Sequence, residues 1–218
     1  MSKFDLSSVL PCNTSRDCIT YLESSAYSSV LDGFFSSFCE VLSDAKRSYP
    51  SNSFPYTSVI DYNEDYSASA DPLQHILLRD VYTFFHYDRK KTLGFFDKVF
   101  QKTFPHFSFS EIFASSVADA HNIINLPFGN AIYKLLNLIP LLTRLEDIRH
   151  ILNMPIYITS GFRTPKLNKL VKGVNDSRHQ HFRALDIRCD DMDSLYELCR
   201  SDIFRYVYRG NGYIHIDI

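Results

Sequence analysis

The chain has 218 residues, 45% of them hydrophobic, with 23 basic and 25 acidic side chains and a net charge of −2. That length and apolar content suffice for a full buried core, which places the chain among globular proteins of one ordinary domain plus an extension. The near-balanced charge removes any general attraction to nucleic acid or to an anionic membrane. No apolar run reaches the length of a transmembrane helix, so neither nucleic acid nor membrane insertion is expected.

The opening stretch, MSKFDLSSVLPCNTSRD, lacks the charged-then-apolar layout of an export signal, so synthesis in the cytoplasm is expected. Five cysteines (Cys12, Cys18, Cys39, Cys189 and Cys199) form no CxxC pair, and their odd number favours free thiols in a reducing compartment. Between Ile19 and Lys46 the residues Leu22, Tyr27, Val30, Leu31, Phe34, Phe38, Val41 and Leu42 recur at helical intervals, a stripe better suited to packing than to docking a partner. Tyr49 to Pro72, rich in Ser, Pro, Asn, Asp and Tyr, reads as a loop. Two helices follow, Leu73 to His86 and Arg89 to Phe104. His75 and His86 have no second clustered donor and read as structural. Residues 1–105 thus form a mainly helical region that carries no motif for chemistry.

After Pro105 the character changes. Ser108 or Ser110 caps a short helix through Phe113, and Gly129 to Leu152 reads as a long amphipathic helix that Pro140 must kink or restart. Ile156 to Ile158 is a strand that delivers Arg163 on the turn after Gly161. Thr164-Pro165 opens a helix from Lys166 to Val171 that Gly173 stops. The Lys166, Lys169, Lys172 run fits the solvated face of that helix. Ala184 to Ile187 is a short apolar strand containing Asp186. Asp191 or Asp193 then caps a helix to Arg200, and Phe204 to Tyr208 pairs with Tyr213 to Ile218 through Arg209-Gly210-Asn211-Gly212.

The chemistry concentrates in this second half. An aspartate inside an apolar strand is costly unless something cationic compensates it, and a metal or an arginine would serve. Alternation in Tyr213 to Ile218 puts the isoleucines on one face and turns Tyr213, His215 and Asp217 out of the apolar core together. His179, Asp186 and His215 are the donor types of a catalytic zinc, in which three protein ligands leave one position for water. Taken singly, each has an ordinary reading: a turn histidine, an arginine's partner and a half-exposed strand residue. Cys189, just beyond the strand, reads as a buried structural thiol.

The order Ser160-Gly161-Phe162-Arg163, Pro165, Asn168, Gly173, Ser177-x-His179, Ala184-x-Asp186 and a closing His215-x-Asp217 resembles the zinc D-alanyl-D-alanine carboxypeptidases and their relatives. That group includes peptidoglycan-cleaving phage endolysins and the hedgehog signalling domain, and the resemblance spans Phe107 to Ile218. It implies zinc ligands at His179, Asp186 and His215, a substrate or oxyanion contact from Arg163, and a hydrogen bond near the metal from Ser177. It further implies an α+β fold, a small antiparallel sheet with packed helices in a zinc DD-peptidase-like domain at 106–218, preceded by the helical region.

Two positions depart from the family pattern. Phe182 and Arg183 stand where a glycine and often a glutamate are usual, and Gly212 stands where many members place the catalytic acid. Asp217 and His181 are the substitutes this chain offers for proton transfer; His181 is also open to readings as an alternative ligand or a surface residue. The resemblance implies a zinc peptidase that hydrolyses an amide bond in peptidoglycan peptides. Such an enzyme without an export signal would be phage-encoded and released at lysis, or carried in a virion. The competing class is a zinc-binding module of the same fold without turnover.

Overall fold

The computed structural model describes residues 25–51, 78–126, 132–200 and 204–218. The expectations for Cys12, Cys18, His75, the start of the first helix at 19–24, and the loop from residue 52 to 72 fall outside these residues. The chain divides into two compact units, whose described residues are 25–51, 78–103 and 132–136 in the first and 104–126, 137–200 and 204–218 in the second.

The first unit is helical. Helix α1 (Ser25–Ser48) ends in Lys46 and Arg47, cations suited to the negative end of the helix dipole. Helix α2 (Leu78–Phe84) stops earlier than the expected His86, because His86 and Tyr87 both take left-handed backbone. Asp88 then caps α3 (Arg89–Gln101) by accepting the Lys91 amide at 3.0 Å. The apolar stripe of α1 is packing surface: Phe34 meets Phe100 edge-on at 5.3 Å and Phe38 meets Phe95 at 5.5 Å.

The second unit opens with α4 (Phe109–Phe113), capped by Ser108, which accepts the Ser110 amide. A further turn, α5 (Ser116–Ala120), capped by Ser115, has no counterpart in the sequence reading. The expected single helix from Gly129 to Leu152 is two elements among the described residues. A 3-10 segment at Ile132–Asn137, whose residues 132–136 belong to the first unit, precedes α6 (Leu138–Leu152), and Pro140 sits in the first turn of α6, where its missing N–H costs no helical bond.

Four strands follow: β1 (Tyr157–Ser160), β2 (Ala184–Arg188), β3 (Tyr206–Arg209) and β4 (Ile214–Asp217). They form one antiparallel sheet in the order β1-β2-β4-β3. Between β1 and β2 lie α7 (Pro165–Leu170), with Thr164 as its cap, and a 3-10 turn at Arg178–His181. Helix α8 (Met192–Arg200) joins β2 to β3; Asp191 is its cap, accepting the Ser194 amide at 3.0 Å.

Register decides which side chains meet. Leu185 lies opposite Ile216 and Ile216 opposite Val207, while Ile187 lies opposite Ile214, giving one apolar face. Leu185, Ile187, Ile214 and Ile216 are fully buried. The other face carries two rows, Ser160–Asp186–His215–Tyr208 and Ala184–Asp217–Tyr206. A one-residue slip would exchange the two faces, so burial of the four apolar residues fixes the polar row. Among the described residues no helix is long and apolar enough to cross a membrane.

Candidate metal centre

The loop after β1 is built by close backbone approach. The Phe162 amide donates to the Ile112 carbonyl at 2.7 Å, and a Cβ at Gly161 would lie 2.6 Å from that oxygen and 2.7 Å from the Ile112 Cα. Only glycine fits there. Asn125, wholly buried, donates to the Phe162 carbonyl at 2.8 Å and the Phe113 carbonyl at 3.2 Å and accepts the Thr164 amide at 2.9 Å, so its amide brackets Arg163 on both sides. The Arg163 amide itself donates to the His179 carbonyl at 3.2 Å, joining this loop to the 3-10 turn. That turn ends at Phe182, whose φ of 59° is left-handed. Glycine would adopt it without strain; here a phenylalanine bears it, with its ring buried and stacked on Phe162 at 4.7 Å. The departure from the family's glycine is thereby a packing substitution.

Three donors converge on the polar face. His179 Nε2 lies 3.3 Å from both His215 Nδ1 and Asp186 Oδ1, and His215 Nδ1 lies 2.8 Å from Asp186 Oδ1. Among the described residues these three form a group able to hold a metal ion. Tetrahedral zinc with ligands at about 2.0–2.1 Å sets neighbouring donors about 3.3 Å apart; the two pairs made by His179 Nε2 have that spacing and the His215–Asp186 pair, at 2.8 Å, is closer, so the N, N, O donor types fit such an ion. The outward ring nitrogens are also held. His179 Nδ1 donates to the Gly161 carbonyl at 2.6 Å, which turns Nε2 toward the trio, and His215 Nε2 lies 3.6 Å from Asp217 Oδ2. Outer partners of this kind orient metal-binding imidazoles.

The electrostatics suit a cation. Burial pushes the Asp186 carboxyl up, but hydrogen bonds from His179 and His215 and the charges of His179 and Arg163 outweigh it and hold it well below the usual carboxylate range. Burial pushes the His215 imidazole down, yet Asp186 and Asp217 raise it to about 9. Arg163 Nη2 bonds Asp186 Oδ2 while its Nε donates to Ser160 Oγ at 3.0 Å. One Asp186 oxygen therefore faces the histidines and the other faces the guanidinium.

The remaining predicted residues are placed differently. Ser177 is buried at the start of the 3-10 turn and its side chain does not cap it. His181 does not join the trio: a 3-10 turn, not the extended backbone that would align it with His179, carries it away, and it pairs with Asp176 at 3.2 Å on an exposed surface. Asp217 shares the His215 face as alternation predicts, but it is buried, not open. Arg205 grips it with two bonds of 2.9 and 2.8 Å, and Arg178 approaches to 3.7 Å. Burial raises its pKa, and His215, Arg205 and Arg178 outweigh that and lower it. Cys189 stands outside the donor group, buried, with its thiol donating to the Asp191 carbonyl and its pKa raised by burial. Asn125 and Arg205, which hold the site's loop and its carboxylate, carry no local motif that would have marked them.

A family model described as Peptidase M15 matches residues 105–217, just over half of the chain. No curated protein matches the chain.

Proposed function

The chain belongs to the peptidase M15 family of zinc-dependent metallopeptidases, and from that premise we propose that it hydrolyses an amide bond in peptidoglycan peptides. The observation that carries this reading is the convergence of His179 Nε2, Asp186 Oδ1 and His215 Nδ1 on one face of the sheet. These three residues would hold the zinc. A bound zinc supplies Lewis acidity toward a carbonyl and lowers the pKa of water toward neutrality. The chain's own residues supply the rest. Asp186 is buried and His215 partly so, and their opposite charges interact more strongly there than in bulk water. Arg163, at the β1 side of the ligands, presents a permanent cation to a substrate carboxylate or a developing oxyanion. Among the expected proton carriers, Asp217 lies 3.6 Å from His215 Nε2, while His181, paired with Asp176, stands on an exposed surface. The activity would be that of a carboxypeptidase or an endopeptidase, encoded by a phage and delivered at lysis or in a virion.

A second reading, a zinc-binding module without turnover, is favoured by two observations: Gly212 occupies the family's usual acid position, and Asp217 is committed to two arginines. Incubating purified, zinc-loaded protein with peptidoglycan peptides, against a chelated control, separates the two. Zinc-dependent release of cleaved peptide supports the peptidase. Stoichiometric zinc with no product supports the module. The Arg163→Ala variant should lose substrate use while keeping its metal.

A further inference from the structure

The sheet face that carries the donors does not end with them. In the cross-strand rows, Tyr208 lies directly opposite His215 and Tyr206 directly opposite Asp217, so both phenols stand on the metal side of the edge strand β3. Both are half exposed, at 51% for Tyr206 and 50% for Tyr208, and the Tyr206 ring centre is 6.1 Å from that of His215. Tyr213, on the same face, is folded over Gly210, where a Cβ would sit 2.3 Å from its ring.

The charge around these rings is already used. Arg205 grips Asp217 and Arg209 pairs with Asp193, so both arginines beside the tyrosines have carboxylate partners. The site is thus polar in one direction across the sheet: a cation, Arg163, on the β1 side of the donors, and a neutral aromatic surface on the β3 side. A charged peptide end suits the first. A neutral ring with apolar C–H faces and a rim of hydroxyls suits the second, since tyrosine offers an apolar plane and a polar tip together.

We propose that Tyr206 and Tyr208 form a sugar-stacking subsite, taking a pyranose ring of the substrate on the β3 side of the donor trio. The inference rests on the peptidoglycan reading and names which part of that substrate the β3 edge holds. A peptide bearing its disaccharide is then the preferred ligand over the same peptide without sugar.

The test is calorimetric titration of the full chain, treated with chelator so that nothing is turned over, with a disaccharide-bearing stem peptide and with the bare peptide. The sugar should tighten binding about tenfold. The Tyr206→Ala/Tyr208→Ala variant should lose that preference, and the Tyr206→Phe/Tyr208→Phe variant should keep most of it. In the wild type, free disaccharide should shift the ring resonances of Tyr206 and Tyr208 and leave those of Tyr157, exposed at the other sheet edge, unmoved. Equal affinity for the two peptides, or a sugar preference that survives in the folded alanine variant, overturns the proposal. Zinc-dependent cleavage of bare peptide by the wild type reports separately on the parent reading. Cleavage without sugar preference removes the subsite alone, and absence of both binding and cleavage removes both.

Discussion

Raising the pH of the metal-free protein perturbs the donor trio without changing a residue. Burial works against it, but Asp186 and Asp217 raise the His215 imidazole from its ordinary value of about 6.5 to about 9. Because the folded-state value lies above the unfolded one, the stabilisation is complete below about pH 6.5 and is lost as pH rises through about 9. At about 1.4 kcal/mol per pH unit, the displacement corresponds to an upper value of about 3 kcal/mol for a group this far out of water. Urea unfolding of chelator-treated protein at a series of pH values between about 6 and 10 measures it. Stability should fall across that window, and the His215→Gln variant should lose the slope while unfolding with the same m-value. Bound zinc would require His215 neutral, so adding metal should release a proton in the same window and flatten the profile. A wild-type profile no steeper than that of His215→Gln would refute the pairing of His215 with the two carboxylates.

Three substitutions test the scaffold around the site. Phe182→Gly relieves the left-handed backbone but deletes a buried ring stacked on Phe162, so a net loss of about 2–3 kcal/mol is expected by chemical denaturation; unchanged stability would contradict the packing account. Gly161→Ala drives a methyl into the Ile112 backbone, and a cost of about 1–3 kcal/mol should appear as a lowered unfolding midpoint. Asn125→Leu strands the Phe113 and Phe162 carbonyls and the Thr164 amide, with an expected loss of about 1–3 kcal/mol per buried group left unsatisfied; amide hydrogen exchange at Thr164 should rise above that of the β2 amides.

The parts of this fold that were legible in the sequence are those set by near neighbours. The caps at Thr164 and Asp191 each satisfy an amide three residues on, and the alternation of β4 places Ile214 and Ile216 against the core by local period alone. The grouping of His179, Asp186 and His215 was legible because their types and order resemble a zinc-peptidase pattern, although the contacts that unite them span 29 and 36 residues. What was not legible depends on partners far along the chain. Asn125 bonds groups 12, 37 and 39 residues away, so nothing in its surroundings marks it as the bracket of Arg163. Likewise the Asp217 carboxylate reads as open until Arg205 is brought back by the β3–β4 hairpin. The 3-10 geometry at Arg178–His181 separates His181 from His179, a backbone choice that the residue types do not dictate.

Zinc stoichiometry of the purified full chain, by elemental analysis after exhaustive dialysis, tests the convergence of the three donors most directly. The wild type should retain about one zinc per chain, as a site of three protein ligands with one open position does, and the His179→Ala/His215→Ala variant should retain none while staying folded. One zinc per chain in that folded variant would contradict the account.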